Sequence, residues 1–195
     1  MSEEVPLSGA SGTDELTQLI HRAQAGDEAA RERLFAVAYE DLRGQARAQL
    51  RNGGRNTLLN TTVLLHESFL RFQRAGRLAG TERGHFFAYA ARVMRSVIVD
   101  FARQRQAERR GGDAVHVPLD AQLADNLHAG EDEVIGINDA IEALQAEDPR
   151  LVQVVEMRYF AGMTEQEIAA VLGVTDRTVR RDWEKARLLL ASMLR

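Results

Sequence analysis

The feature that most constrains this sequence is the run of helix start and stop signals between Asp148 and Leu194. Asp148 before Pro149 sets a capping carboxylate ahead of the first helical position, where a missing N–H costs nothing. Thr164-Glu165-Gln166-Glu167 has the form of a capping box, in which Thr164 and Glu167 each satisfy an orphan N–H at the other's end. Gly173 supplies the left-handed residue that stops a helix, and Thr175 caps a final helix expected over 176–194. The first of these helices carries Leu151, Val154, Val155 and Tyr159 on its apolar face and ends near 161–162. The second, short, holds Ile168, Ala169 and Leu172.

The rest of the chain is punctuated in the same way. Three prolines and the absence of alternating β-branched runs argue against a sheet. Helix signals begin at Asp14-Glu15, and Gly26-Asp27 break and restart them. Residues 28–51 place Leu34, Phe35, Ala38, Leu42 and Ala46 on one stripe, with Gly53-Gly54 past the end. A helix over 62–75 sets Leu65, Phe69 and Phe72 on one side, and Gly76 comes after it. A long helix over 84–110 ends at Gly111-Gly112. Residues 111–133 lack helical periodicity and include Pro118, so the expected organisation is two small helical domains joined by a linker. The boundaries are 1–14 for a disordered N-terminus, 15–111 for the first domain, 112–133 for the acidic linker and 134–195 for the second domain, an all-α chain throughout.

Net charge, −4 over 195 residues, conceals an alternation. Residues 71–110 carry ten arginines against three acids, residues 111–137 carry six acids and no base, and residues 177–187 carry five bases against two acids. With 45% hydrophobic residues a core can be packed, and no apolar run approaches the ~18 residues of a membrane span. The acidic, polar N-terminus is not a secretory signal, and the absence of cysteine excludes disulfides, thiol chemistry and cysteine-bound zinc. The five histidines are scattered, no phosphate-cradling glycine loop occurs, and no serine elbow is present. These absences point to a cytoplasmic protein that is not an enzyme, takes no cofactor or metal and does not engage a membrane.

Two constellations remain. The helices flanking Gly173 have the proportions of a helix-turn-helix, with Ile168, Leu172, Val174, Val179, Trp183, Ala186 and Leu190 inward. That leaves Arg177, Thr178, Arg181 and Lys185 outward at the end of the helix able to enter a major groove, where arginine pairs with guanine O6 and N7. Arg180 and Arg187 suit phosphates. A helical hairpin with a solvated basic face has the same pattern. The long helix interleaves His85, Phe86, Phe87, Tyr89 and Phe101 with Arg92, Arg95, Arg103 and Arg105, a mixture that suits unpaired bases and equally suits an ordinary core stripe.

In order, LTQLIHRAQAGDEAARERLFAVAYEDL, TTVLLHESFLRFQRA, FFAYAARVMRSVIVDFARQRQ and MTEQEIAAVLGVTDRTVRRDWEKAR resemble the two domains of extracytoplasmic-function (ECF) sigma factors, over about 16–110 and 138–192. The resemblance implies a region 2-like helical bundle and a region 4-like helix-turn-helix, together directing core RNA polymerase to specific promoters. It assigns binding of the polymerase β′ clamp to the helix holding Leu64, Leu65, Glu67, Phe69, Leu70 and Arg71. Contact with the −10 element falls to Arg92, Arg95, Asp100 and Arg103, with a flipped base on the non-template strand. The −35 duplex falls to Arg177, Thr178, Arg180, Arg181 and Lys185, while the apolar side of that domain meets the β flap. The acidic linker would thread toward the basic RNA exit path.

One departure from the family pattern stands out. Where members carry acids just before the clamp-binding helix, this chain has Asn60-Thr61-Thr62-Val63. A phosphothreonine restores roughly −1.5 to −2 charges at the favourable end of a helix. The expectation is therefore a branch of the family with a threonine-containing helix start, in which a Ser/Thr kinase acting on Thr61 or Thr62 switches polymerase binding on; the alternative is that one of these threonines merely caps the helix. An anti-sigma factor is a further candidate partner. Two other readings compete with a sigma factor: a free-standing helix-turn-helix regulator that binds duplex DNA without polymerase, and a helical adaptor that binds only protein.

Overall fold

The structure, a computed structural model, describes residues 9–52, 59–74, 82–111 and 121–194, with side chains over 15–50, 59–74, 82–108 and 130–194. Among the described residues the chain is helical and has no strand, as the sequence predicts. The helices are α1 (Gly9–Gln24), α2 (Glu28–Val37), α3 (Tyr39–Asn52), α4 (Thr61–Arg74), α5 (Arg83–Gly111), α6 (Ala121–Glu147), α7 (Pro149–Val155), α8 (Glu165–Leu172) and α9 (Asp176–Met193), with a π-helical turn over Glu156–Phe160 after α7. Residues 1–8, the glycine stops at 53–54, 76 and 112, and linker residues 112–120 lie outside the described residues.

The capping reading carries over to the structure. Asp27 accepts from Ala30 N–H at 2.9 Å and starts α2. Asp148 accepts from Leu151 N–H, and Pro149 occupies the first turn of α7. Thr164 and Glu167 complete their box, with Thr164 N–H donating to Glu167 at 2.8 Å and Glu167 N–H to Thr164 Oγ1 at 3.3 Å. Gly173 adopts φ +64°, and Thr175 caps α9.

Three expectations need correction. The helix expected over 28–51 is two, parted at Ala38 (φ −83°, ψ 0°), yet Leu34, Ala38, Leu42 and Ala46 still form one stripe in the core. Tyr159, expected inward, is exposed, while Met157 is buried. The π turn, closed by Ala161 N–H donating to Glu156 O at 2.9 Å, inserts a residue and rotates the side chains beyond it by about 100°. Lastly, α1 begins at Gly9 and α6 at Ala121, so helix extends into segments read as disordered N-terminus and linker.

Three clusters make up the core. Helices α1–α5 pack around Leu34, Leu64, Phe86 and Met94, and Val134 of α6 joins them. The π turn, α7, α8 and α9 enclose Val154, Met157, Ile168 and Val179, together with Ala88 of α5. The third cluster joins α6, α7 and α9 through Ile141, Leu144, Leu151 and Ala186. Helices α5 and α6 therefore belong to both halves of the molecule. At Gly84 the two halves approach so closely that a methyl group would collide with Val171 of α8.

Candidate functional site

Helices α8 and α9 form the expected helix-turn-helix. Val179 and Ala186 are fully buried, Trp183 and Leu190 are partly buried, and Arg177, Arg180, Arg181, Lys185 and Arg187 are exposed along α9. Their commitments differ. Arg180 donates to Glu165 Oε2 from Nε at 3.2 Å and Nη2 at 2.9 Å. Glu165 also takes Arg158 at 2.7 Å, and these two guanidiniums hold its carboxyl below the usual carboxylate range. Lys185 reaches Asp148 at 3.1 Å, tying α9 to the cap of α7. The Thr178 and Thr175 hydroxyls lie 3.0 Å apart. Arg181 is 72% exposed and only 3.5 Å from the buried Asp182, whose firmer partner is Arg150 at 2.9 Å. The outer surface at the start of α9 is thus presented chiefly by Arg177 and Arg181.

On α4, Leu64 and Leu65 are core residues, 0% and 3% exposed, so neither is available to a partner. Phe69 is half-buried, its ring 4.8 Å from that of Phe35. Of the other residues assigned to the clamp, Glu67, Leu70 and Arg71 are half-buried, with exposed Thr62, Val63 and His66 alongside. Arg71 is itself bound to Asp100 of α5 at 2.7 Å and donates to Ser96 Oγ at 2.7 Å, which joins the clamp-assigned helix to the −10-assigned one. Neither threonine caps α4. Asn60 does, accepting from Val63 N–H at 2.9 Å, which leaves Thr61 and Thr62 as the first two helical residues.

The aromatic residues of α5 pack on the core. Phe86 and Phe87 are buried, Phe86 meets Phe72 edge-on at 5.9 Å, and Tyr89 and Phe101 pack against the same core. The arginines stay outside that core but are occupied. Glu156, 3% exposed, takes Arg92 Nε on one oxygen and Arg95 Nη2 on the other, both at 2.9 Å. Arg95 also donates to Asn138 Oδ1 at 2.6 Å, and Arg103 pairs with Asp139 at 3.2 Å.

Sequence reasoning did not find Glu156, Asn138, Gln45 or Gln49. Gln49 of α3 donates to Phe160 O and Gln45 to Ala161 O, both at 3.2 Å, so the carbonyls at the end of the π turn are met from the other half of the molecule. A signal was available for Glu156 alone, a carboxylate interrupting the apolar run Leu151 to Met157.

Among the described residues no helix is long and apolar enough to cross a membrane. A search of curated proteins found no match. A family model described as ECF sigma factor matches residues 13–195. Because that match runs from within α1 to the end of the chain and takes in both halves, the chain belongs to the ECF sigma factor family.

Proposed function

We propose that this chain, a sigma factor that binds core RNA polymerase and directs it to promoters, reads duplex at the −35 element with Arg177 and Arg181, meets the −10 element with Arg92, Arg95 and Arg103, and docks on the polymerase clamp through α4 in a manner governed by threonine phosphorylation. The division of labour follows the two domains read from the sequence, 15–111 and 134–195, with cytoplasmic action implied. A regulated α4 is supported above all by its first turn. Asn60 already serves as N-cap, so Thr61 and Thr62 are not needed for capping and occupy the first helical turn, where the unpaired backbone N–H groups favour an anion. A phosphate on either would supply the negative charge that this helix start otherwise lacks. The modifying partner would be a Ser/Thr kinase, with an anti-sigma protein as a separate route of control.

The test is co-elution with core RNA polymerase, comparing unmodified chain with Thr61→Glu/Thr62→Glu. Binding by the variant alone supports the switch. Equal binding by both removes the switch and leaves the sigma activity standing. If neither binds while the chain alone shifts duplex with a steep salt dependence, the free-standing regulator is the better account.

A further inference from the structure

Arg71 falls to the polymerase clamp by its place on α4, yet both amino groups of its guanidinium are spent on α5. Nη1 donates to Ser96 Oγ at 2.7 Å, and Nη2 pairs with Asp100 Oδ2 at 2.7 Å. Ser96 and Asp100 are one turn apart, so the fork spans a single face of α5. This pair is not what holds the two helices together. Phe72, the next residue of α4, meets Phe86 of α5 edge-on at 5.9 Å, and Leu64, Leu65, Phe72, Phe86 and Met94 share one core beneath it. The ion pair lies above that core, with the Arg71 side chain 34% and that of Asp100 54% exposed, and an exposed pair adds little to stability.

What the pair changes is charge beside the arginines assigned to the −10 element. At 100° per residue, Asp100 lies about 60° of arc from Arg103 and about 80° from Arg92, on the same side of α5. An acid there repels phosphate. Standing three residues before Arg103, it also has the spacing at which a carboxylate and a guanidinium pair along one helix. In the structure Asp100 faces Arg71 instead, and Arg103 meets Asp139 of α6. We propose that Arg71 serves promoter recognition as a positioning residue: it neutralises Asp100 and keeps that carboxylate off Arg103, while Asp100 is the anchor of Arg71 and not a DNA contact. This rests on the reading that α5 meets the −10 element. It also takes Arg71 out of the clamp-binding set, because an arginine with both amino groups held by α5 must break two contacts to reach another surface.

The test uses holoenzyme reconstituted from core RNA polymerase and the full chain carrying Arg71→Ala, Asp100→Asn, both changes, or Arg71→Lys. Far-UV dichroism of each variant guards against misfolding. Core affinity is measured by titration. Promoter opening is read across a salt series by permanganate reactivity of unpaired thymines, on a fragment that wild-type holoenzyme selects from a randomised duplex pool. Arg71→Ala should bind core as wild type does, which loss of a clamp contact would not allow. Its promoter opening at low salt should fall by about threefold to fivefold and recover in the double variant, where the acid that Arg71 restrained is gone. Arg71→Lys keeps the charge and should retain most of the opening, and the deficit of Arg71→Ala should shrink as salt screens Asp100. A strut that merely braces the helices would be lost as fully in the double variant as in the single one. The proposal is overturned if Arg71→Ala loses core affinity with or without Asp100→Asn, if its opening equals wild type, or if the double variant stays as low as Arg71→Ala. Failure of the underlying reading has a different signature: Arg92→Ala/Arg103→Ala would then leave promoter opening by the assembled holoenzyme unchanged.

Discussion

Arg177 and Arg180 stand three residues apart on α9 yet are committed differently. Arg180 is held by Glu165, which raises its pKa further, whereas Arg177 projects from the first turn of the helix. Arg177→Ala should therefore weaken binding of holoenzyme to −35 duplex by about 1–3 kcal/mol and relax preference at one base pair, whereas Arg180→Ala should weaken all duplexes alike and only slightly. Equilibrium competition with −35 point variants separates the two, and equal losses would refute the distinction. Asp148 gives a second residue-scale expectation. The Lys185 ammonium first, and the Leu151 N–H after it, hold its carboxyl below the ordinary 3.8. As pH falls the unfolded chain takes up the proton first, so the stabilisation is full above 3.8 and drains away as pH drops through the lower folded value. Asp148→Asn keeps an oxygen to cap α7 but cannot titrate. The gap in melting temperature between wild type and this variant should shrink between about pH 5 and pH 3; a gap that stays constant would mean Asp148 acts by geometry alone.

At the scale of elements, what the sequence made legible was what is local. As caps, Asp148, Thr164, Glu167, Gly173 and Thr175 act within four residues of their partners, so one stretch of chain contains the capping contact, although Asp148 also meets the distant Lys185. Gly173 is the sharpest case. Its φ of +64° suits glycine, and Gly173→Ala should cost about 1 kcal/mol, lowering the melting temperature by about 2–4 °C without loss of helix. A melting temperature equal to wild type would show the turn relaxing to another conformation. What was illegible depends on partners distant in sequence. The segment 121–133 has no amphipathic stripe, and among its described side chains Glu131 and Asp132 are met by Arg105 and Gln106 of α5. The π turn is likewise a tertiary choice, its end carbonyls taken by Gln45 and Gln49, and Tyr159 within it stands exposed. On α4 the order of apolar residues was read correctly as a stripe, but Leu64 and Leu65 were assigned to the partner because a resemblance names positions and not directions. Burial places Leu64 and Leu65 in the core and leaves Glu67, Leu70 and Arg71 half-buried on α4.

Over the whole molecule, the two halves are joined by more than ion pairs. Ala88 of α5 lies in the core of the helix-turn-helix half, and Val134 of α6 lies in the core of the N-terminal half, so each half completes the apolar packing of the other. Elements that share a core lose it together, and the isolated chain should unfold by heat in a single cooperative transition. Gly84 is where this can be interrupted without touching a charge or an arginine. A side chain there must displace Val171, and Gly84→Leu should lever α8 away from the start of α5. Helicity at room temperature should persist, because the caps of α7, α8 and α9 are local and intact, but calorimetry should resolve two transitions, the earlier from the half that lost Ala88. Two transitions already present in the wild type would mean that the halves fold independently and that their shared core contributes little to holding them closed. A single transition in both would place the coupling chiefly in α6, which runs through both halves, and Leu144→Ala at its junction with α7 and α9 would then be the change that divides them.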